Sequence, residues 1–124
     1  MIKVMHVDAD AAVREMVDMV LCLTGEFVVM PCEDGAEALS QLSVFGPEVI
    51  LIDTVEAHRD GAATIAAIHA SPEFRETPVI FVTPEEANTD TAALRAAGAA
   101  DVIAKPFDPM ELAGRIKDAL PTHV

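Results

Sequence analysis

The residues able to do chemistry sit where apolar runs stop. VDADAA, residues 7–12, ends a strand-like run on Asp8 and continues through Ala9 to a second acid, Asp10. ILID ends on Asp53, FVT on Thr83 and VIAK on Lys105. Two carboxylates, a hydroxyl and an amine placed in this way suit phosphoryl transfer. Asp8 and Asp53 crowd negative charge, so each favours a bound cation. Mg²⁺ fits such a pair, because it takes hard oxygen ligands from one or two carboxylates and keeps several waters. With its charge offset, Asp53 can attack phosphorus and become an acyl phosphate. Thr83 can donate a hydrogen bond to a phosphoryl oxygen, and Lys105 can set its ammonium against another as a point charge.

For these side chains to meet, the apolar runs must be neighbouring strands. Ile2 to Val7 reads as a strand, followed by Val13, Met16, Val17, Val20 and Leu21 at helical spacing. Asp10 is placed to cap that helix and Gly25 to end it. A second strand is expected from Phe27 to Met30. The turn Glu33-Asp34-Gly35 leads to a helix from Ala36 to about Val44, with Leu39 and Leu42 inward. Gly46-Pro47 breaks it. Val49 to Ile52 is apolar without alternation, as a strand covered on both faces should be. Asp60 can cap a third helix through His69 with Ile65 and Ile68 inward. Val79 to Val82 forms the fourth strand, and a fourth helix runs from about Thr89 to Ala97. Asp101 to Ala104 forms the fifth strand. Asp108, Pro109 and Glu111 then give the N-cap, N1 and N3 signals of a last helix, with Leu112, Ile116 and Leu120 inward and Pro121 as its stop. Strict β-α alternation with short connections implies a parallel sheet with helices on both faces. In such sheets ligands bind beyond the carboxyl ends of the strands, where all four candidate residues fall.

Composition narrows the function. The 124 residues fit one domain, and 52% hydrophobic content is enough for one core. Eight Lys and Arg stand against 21 Asp and Glu, a net charge of −13. Direct nucleic-acid binding is therefore not expected, whereas a cation or a basic protein partner is compatible. No apolar run reaches a membrane span and no signal peptide opens the chain, so a cytoplasmic location is expected. Cys22 and Cys32 fall in apolar stretches without metal-ligand spacing and are expected to be buried thiols in a reducing compartment. His6, His58, His69 and His123 are scattered and form no ligand motif.

The motifs together resemble the receiver domain of response regulators in two-component signal transduction. VDAD after strand one, ILID at Asp53, Asp60-Gly61, VT at Thr83, AAGAAD before strand five and KPF at Lys105 carry the likeness, which covers nearly the whole chain. The resemblance implies a flavodoxin-like (βα)5 doubly wound sheet with strand order 2-1-3-4-5, the order the family shares. It implies that Asp53 is the phosphoacceptor, served by a phosphohistidine on a histidine kinase or phosphotransfer protein. Asp8, Asp53 and the backbone carbonyl of Val55 would hold Mg²⁺. Thr83 and Lys105 would read the phosphoryl group, with Lys105-Pro106 a cis bond. The fourth helix, fifth strand and fifth helix would form the contact face for a downstream protein or output domain; Arg95, Arg115 and Lys117 lie there among acids. Such a chain is no enzyme beyond slow self-dephosphorylation. It is either a stand-alone receiver or a fragment excised from a longer regulator.

The chain departs from the family pattern in four places, one of them the loop TVEAHRDG after Asp53, which keeps only the final Asp-Gly and has Ala57 where a proline is common. Ala9 stands where the family has the second of two adjacent acids, so Mg²⁺ binding is expected to be weakened. Asp10 either replaces the missing ligand or caps the first helix. Pro84 follows Thr83 where a small residue is usual. Val102 fills the aromatic switch position, so Thr83 and backbone movement would have to carry a signal. These departures leave a second reading, a pseudo-receiver that acts by binding alone. A reading from another class takes Asp8 and Asp10 as the D-x-D of a haloacid-dehalogenase-like phosphatase. Against it, Ala11-Ala12 replaces the usual Gly-Thr and no late strand ends in paired acids.

Overall fold

The computed structural model describes residues 1–53, 61–84, 91–105 and 107–120; for Gly61, Ala62, Pro84, Thr91, Lys105 and Pro109 it describes the backbone only. Strands and helices alternate: β1 (Ile2–Val7), α1 (Ala11–Leu23), β2 (Phe27–Cys32), α2 (Gly35–Phe45), β3 (Val49–Asp53), α3 (Gly61–His69), β4 (Val79–Pro84), α4 (Thr91–Ala96), β5 (Asp101–Lys105) and α5 (Pro109–Ala119). All strand pairs are parallel, and their order is β2-β1-β3-β4-β5. This is the flavodoxin-like arrangement expected.

The pleat sends alternate residues to opposite faces and so builds two cores. Val4, Val49, Leu51, Ile80, Val82 and Ile103 pack with Val17 and Leu21 of α1 and Leu112 and Ile116 of α5. Met5, Val7, Ile50, Ile52, Phe81 and Val102 pack with Ala38 and Leu42 of α2 and Ile65 and Ile68 of α3. Every residue of β3 is buried, because the strand lies mid-sheet under helices on both sides.

Local capping explains both ends of α2 and the start of α5. The Asp34 side chain accepts the Glu37 N–H, and Glu37 Oε1 reaches back to the Glu33 N–H at 2.9 Å, a reciprocal arrangement close to a capping box. Gly46 ends α2 at φ 66, a left-handed conformation in which glycine escapes the usual Cβ cost. Asp108 caps α5 through the Met110 N–H, ahead of Pro109 at the first turn, as expected.

Four expectations need correction. Leu39 is 45% exposed. The inward stripe of α2 runs through Ala38 and Leu42, and Leu39 sits about 100° further round the helix. Cys22 is exposed on the outer face of α1; only Cys32 is a buried thiol. β2 does not stop at Met30 but continues through Pro31 and Cys32. Proline is tolerated there because β2 is an edge strand and needs no donor on its outer side. Finally, Pro72–Phe74 forms a 3-10 turn that buries Phe74 under α3, an element absent from the sequence reading. His69 Nε2 lies 2.9 Å from the Thr77 carbonyl and ties α3 to the chain leaving that turn. The start signal at Asp60, the residues of the α4 approach before Thr91 and the Pro121 stop lie outside the described residues.

Candidate functional site

Strand register decides which side chains can meet. Val7 pairs with Ile52, so the next residues, Asp8 and Asp53, lie side by side where β1 and β3 finish. Asp53 pairs with Val82, one residue before Thr83. Thr83 pairs with Ala104, and Pro84 with Lys105. The four candidate residues thus step across β1, β3, β4 and β5 at the carboxyl rim, with Thr83 one register position and Lys105 two positions beyond the level of Asp8 and Asp53. Asp8 and Asp53 follow the pleat onto the α1/α5 side, two residues beyond His6 and Leu51. Thr83 is the residue after Val82, the partner of Asp53 on β4.

Asp8, Asp53 and Thr83 are buried, at 3%, 6% and 4% exposure, so these three side chains are shielded from water. Low solvent access strengthens every charge interaction in such a place. Lys105 is placed by its backbone alone. The side chain of Lys105, the backbone carbonyl of Val55 and the Lys105-Pro106 bond at Pro106 lie outside the described part.

The β1–α1 turn is held by its own hydrogen bonds. The Asp10 N–H donates to Asp8 Oδ1 at 2.8 Å, and the Asp8 N–H donates to the Cys32 carbonyl at 3.1 Å. Asp10 is the N-cap of α1, with Oδ1 accepting the Ala12 N–H at 2.9 Å. That geometry answers part of the question raised by Ala9: the Asp10 carboxylate is engaged along its own helix. Arg14, which sequence reasoning did not single out, folds back from α1 to the same turn. Its Nη1 donates to the carbonyls of Asp8 at 2.7 Å and Ala9 at 3.0 Å. An Arg in the first turns of a helix reads as a surface charge in sequence, and no motif marks its carbonyl partners.

Among the described residues, no three His, Cys, Asp or Glu side chains gather as a metal group. Among the described residues, the rim brings the carboxylates of Asp8 and Asp53 next to each other. Hard oxygens from one or two carboxylates, with water completing the shell, are what Mg²⁺ uses, so these residues fit it.

The expected contact face carries a different carboxylate. Asp101, at the start of β5, accepts Arg115 Nε at Oδ2 and Arg115 Nη2 at Oδ1, both at 2.9 Å. Arg95 Nη2 adds a bond to Oδ1 at 3.1 Å from α4. Partial burial works to raise the pKa of Asp101. The Arg115 hydrogen bonds, the Val102 N–H and Arg95 outweigh it and hold the carboxyl below its ordinary value. Lys117 pairs with Glu26. The three cations expected to mark this face are therefore bonded within the molecule.

Residues 4–117 match the response regulator receiver domain family. The chain is 31% identical over 121 residues to PilG of Pseudomonas aeruginosa, covering 98% of this chain and 89% of that protein. It is 34% identical over 115 residues to the phosphate regulon transcriptional regulatory protein PhoB of Escherichia coli, covering 93% of this chain but 50% of PhoB. Among solved structures, the chemotaxis response regulator CheY4 of Vibrio cholerae superposes with a TM-score of 0.85 at 28% identity, covering 97% and 99% of the two chains. The receiver domain of a signal transduction histidine kinase from Syntrophus aciditrophicus gives 0.82 at 28% identity, covering 97% and 90%. Receivers are generally non-enzymatic signalling domains that bind Mg²⁺ at the phosphorylation site and interact with histidine kinases and downstream effectors. No helix among the described residues is long and apolar enough to cross a membrane. This chain belongs to the response regulator receiver domain family of two-component signalling.

Proposed function

We propose that this receiver accepts a phosphoryl group on Asp53 from a phosphohistidine of a histidine kinase or phosphotransfer protein, in the cytoplasm, and passes the change to a protein partner. The observation that carries the reading is the strand register: Asp8 beside Asp53, with Thr83 and Lys105 at the ends of the next two strands. A carboxylate oxygen of Asp53 forms the new O–P bond as the N–P bond of the donor breaks. The imidazole nitrogen keeps the electron pair and takes up a proton. A Mg²⁺ held by Asp8 and Asp53, with the Val55 carbonyl as a further ligand, would offset the charge gathered on the phosphoryl oxygens. Thr83 donates a hydrogen bond to one of those oxygens, and the Lys105 ammonium faces another. Val102 is packed in the core beside Phe81 and has no ring to turn, so Thr83 and backbone movement carry the response.

A second reading draws on Ala9 and on the capping role of Asp10. With one acid absent and the next engaged by α1, the cation site has fewer ligands, which favours a receiver that signals by binding alone. Acetyl phosphate with Mg²⁺, followed by intact mass, decides between the two. A single phosphoryl adduct that disappears in Asp53→Asn supports phosphorylation. No adduct at saturating Mg²⁺ supports the pseudo-receiver. An adduct or phosphatase activity that survives Asp53→Asn and is lost in Asp8→Asn would point instead to D-x-D chemistry.

A further inference from the structure

We propose that Arg14 is a positioning residue for this site: its guanidinium pins the β1–α1 turn and thereby sets the plane of the Asp8 carboxylate toward a cation. The inference rests on the reading of the rim given above.

The placement of Arg14 is costly by local rules. A cation near a helix N-terminus opposes the helix dipole, and the usual partner for an exposed arginine is an acid one turn on. Asp18 is that acid. No ion pair joins the two among the described residues, and Asp18 Oδ1 instead accepts the Cys22 thiol at 3.1 Å. Arg14 turns back to the rim, where a single nitrogen, Nη1, bonds the carbonyls of both Asp8 and Ala9. Charge-assisted bonds to two consecutive carbonyls offset the unfavourable dipole. Ala9 contributes by omission: it has no carboxylate to draw the guanidinium away from the backbone.

The consequence reaches Asp8 through a closed ring of bonds. The Arg14 N–H donates to the Asp10 carbonyl at 3.0 Å, the Asp10 N–H to Asp8 Oδ1, and the Arg14 side chain to the Asp8 carbonyl. Asp8 is thereby held at its backbone oxygen and at one carboxylate oxygen. In a receiver short of one acid, the remaining ligand has less freedom to be misplaced. Groups that orient a metal ligand commonly change metal affinity about 10- to 100-fold when removed.

The test uses the full chain, Arg14→Met and Arg14→Lys, with Mn²⁺ as the probe and free Mn²⁺ read by electron paramagnetic resonance. Adduct formation with acetyl phosphate is followed against Mg²⁺ concentration, and urea midpoints are measured alongside. Arg14→Met should weaken Mn²⁺ binding about tenfold and raise the half-saturating Mg²⁺ by a similar factor, while the adduct yield at saturating metal stays near that of the parent. Arg14→Lys should restore most of the affinity, because one nitrogen makes both bonds. Unchanged Mn²⁺ affinity in Arg14→Met overturns the proposal. So does equal weakening in both variants that tracks a loss in urea midpoint, since that marks a merely structural role. A parent chain that binds Mn²⁺ yet takes no adduct overturns the reading of Asp53 and leaves the Mn²⁺ comparison to judge Arg14. A parent chain that binds no Mn²⁺ overturns both.

Discussion

Two carboxylate clusters at opposite ends of strands show what separates a structural acid from a reactive one. Asp101 opens β5 and is met by two guanidinium groups, one of them bidentate. Asp53 closes β3 beside another acid, Asp8, on the neighbouring strand. Arginine next to an acid favours the charged form and removes any reason for it to react. A second acid next to it raises the demand for a cation and for the positive groups that accompany a phosphoryl group. Position in the sheet reinforces the contrast: Asp101 lies at the amino end of its strand, Asp8 and Asp53 at the carboxyl ends where α/β sheets bind ligands.

The comparison breaks most visibly under substitution at the rim. Asp53→Asn should eliminate the phosphoryl adduct while leaving the urea midpoint unchanged or raised, because it removes one of two crowded charges. Asp101→Asn should do the reverse: adduct formation persists, and stability falls by about 1 kcal/mol, as for a bidentate pair that is only partly exposed. A drop in stability for Asp53→Asn comparable with that for Asp101→Asn would erase the distinction.

Restoring the family acid sharpens the rim further. Ala9→Asp should strengthen Mg²⁺ binding about tenfold, the worth of roughly 1.4 kcal/mol from one added charge-assisted ligand. Calorimetric titration of the parent and the variant measures it. If the affinities coincide, the rim does not bind metal through this turn.

Acid offers a gentler probe of the Asp101 cluster. Its folded pKa lies below the value of 3.8 for a free carboxyl. A depressed pKa contributes stability that is fully present above the unfolded value and is lost as pH falls through the folded one. The stability gap between the parent and Asp101→Asn should therefore hold steady above about pH 5 and narrow below about pH 4. A gap that widens in acid contradicts the pairing.

The smallest effect concerns the thiols. Burial, then Glu37, pushes Cys32 up to about 11, so it stays protonated at neutral pH. Cys22 is exposed, though its hydrogen bond to Asp18 raises its pKa. The native chain should take up one equivalent of iodoacetamide slowly, at Cys22, with the second reacting only after unfolding. Peptide mapping identifies the site.

Much of the fold was legible because its cues are local. Caps at Asp10, Asp34 and Asp108 act within three residues of the bonds they make. The alternation of apolar runs with helical stripes fixes element type before any long-range contact forms. Leu39 and Cys22 are exposed against expectation because apolarity says how much a side chain favours burial, not whether a neighbour is there to cover it. The Pro72–Phe74 turn has no signature in the sequence because three residues carry no periodicity.

The candidate set Asp8, Asp53, Thr83 and Lys105 was readable as strand ends, since each follows an apolar run. Which runs became neighbours, and in what register, was decided only by the folded sheet. The partners of Arg14, Arg95 and Arg115 were hidden for the same reason. A long cation can reach many acceptors, and nothing in its own stretch of chain says which will be near. Element identity, caps and the placement of polar residues at strand ends thus belong to the sequence alone, through interactions spanning a few residues. The set at the rim, the arginine clasp on Asp101 and the return of Arg14 to its turn belong to tertiary structure, because only packing brings distant backbone and side chains within hydrogen-bond reach.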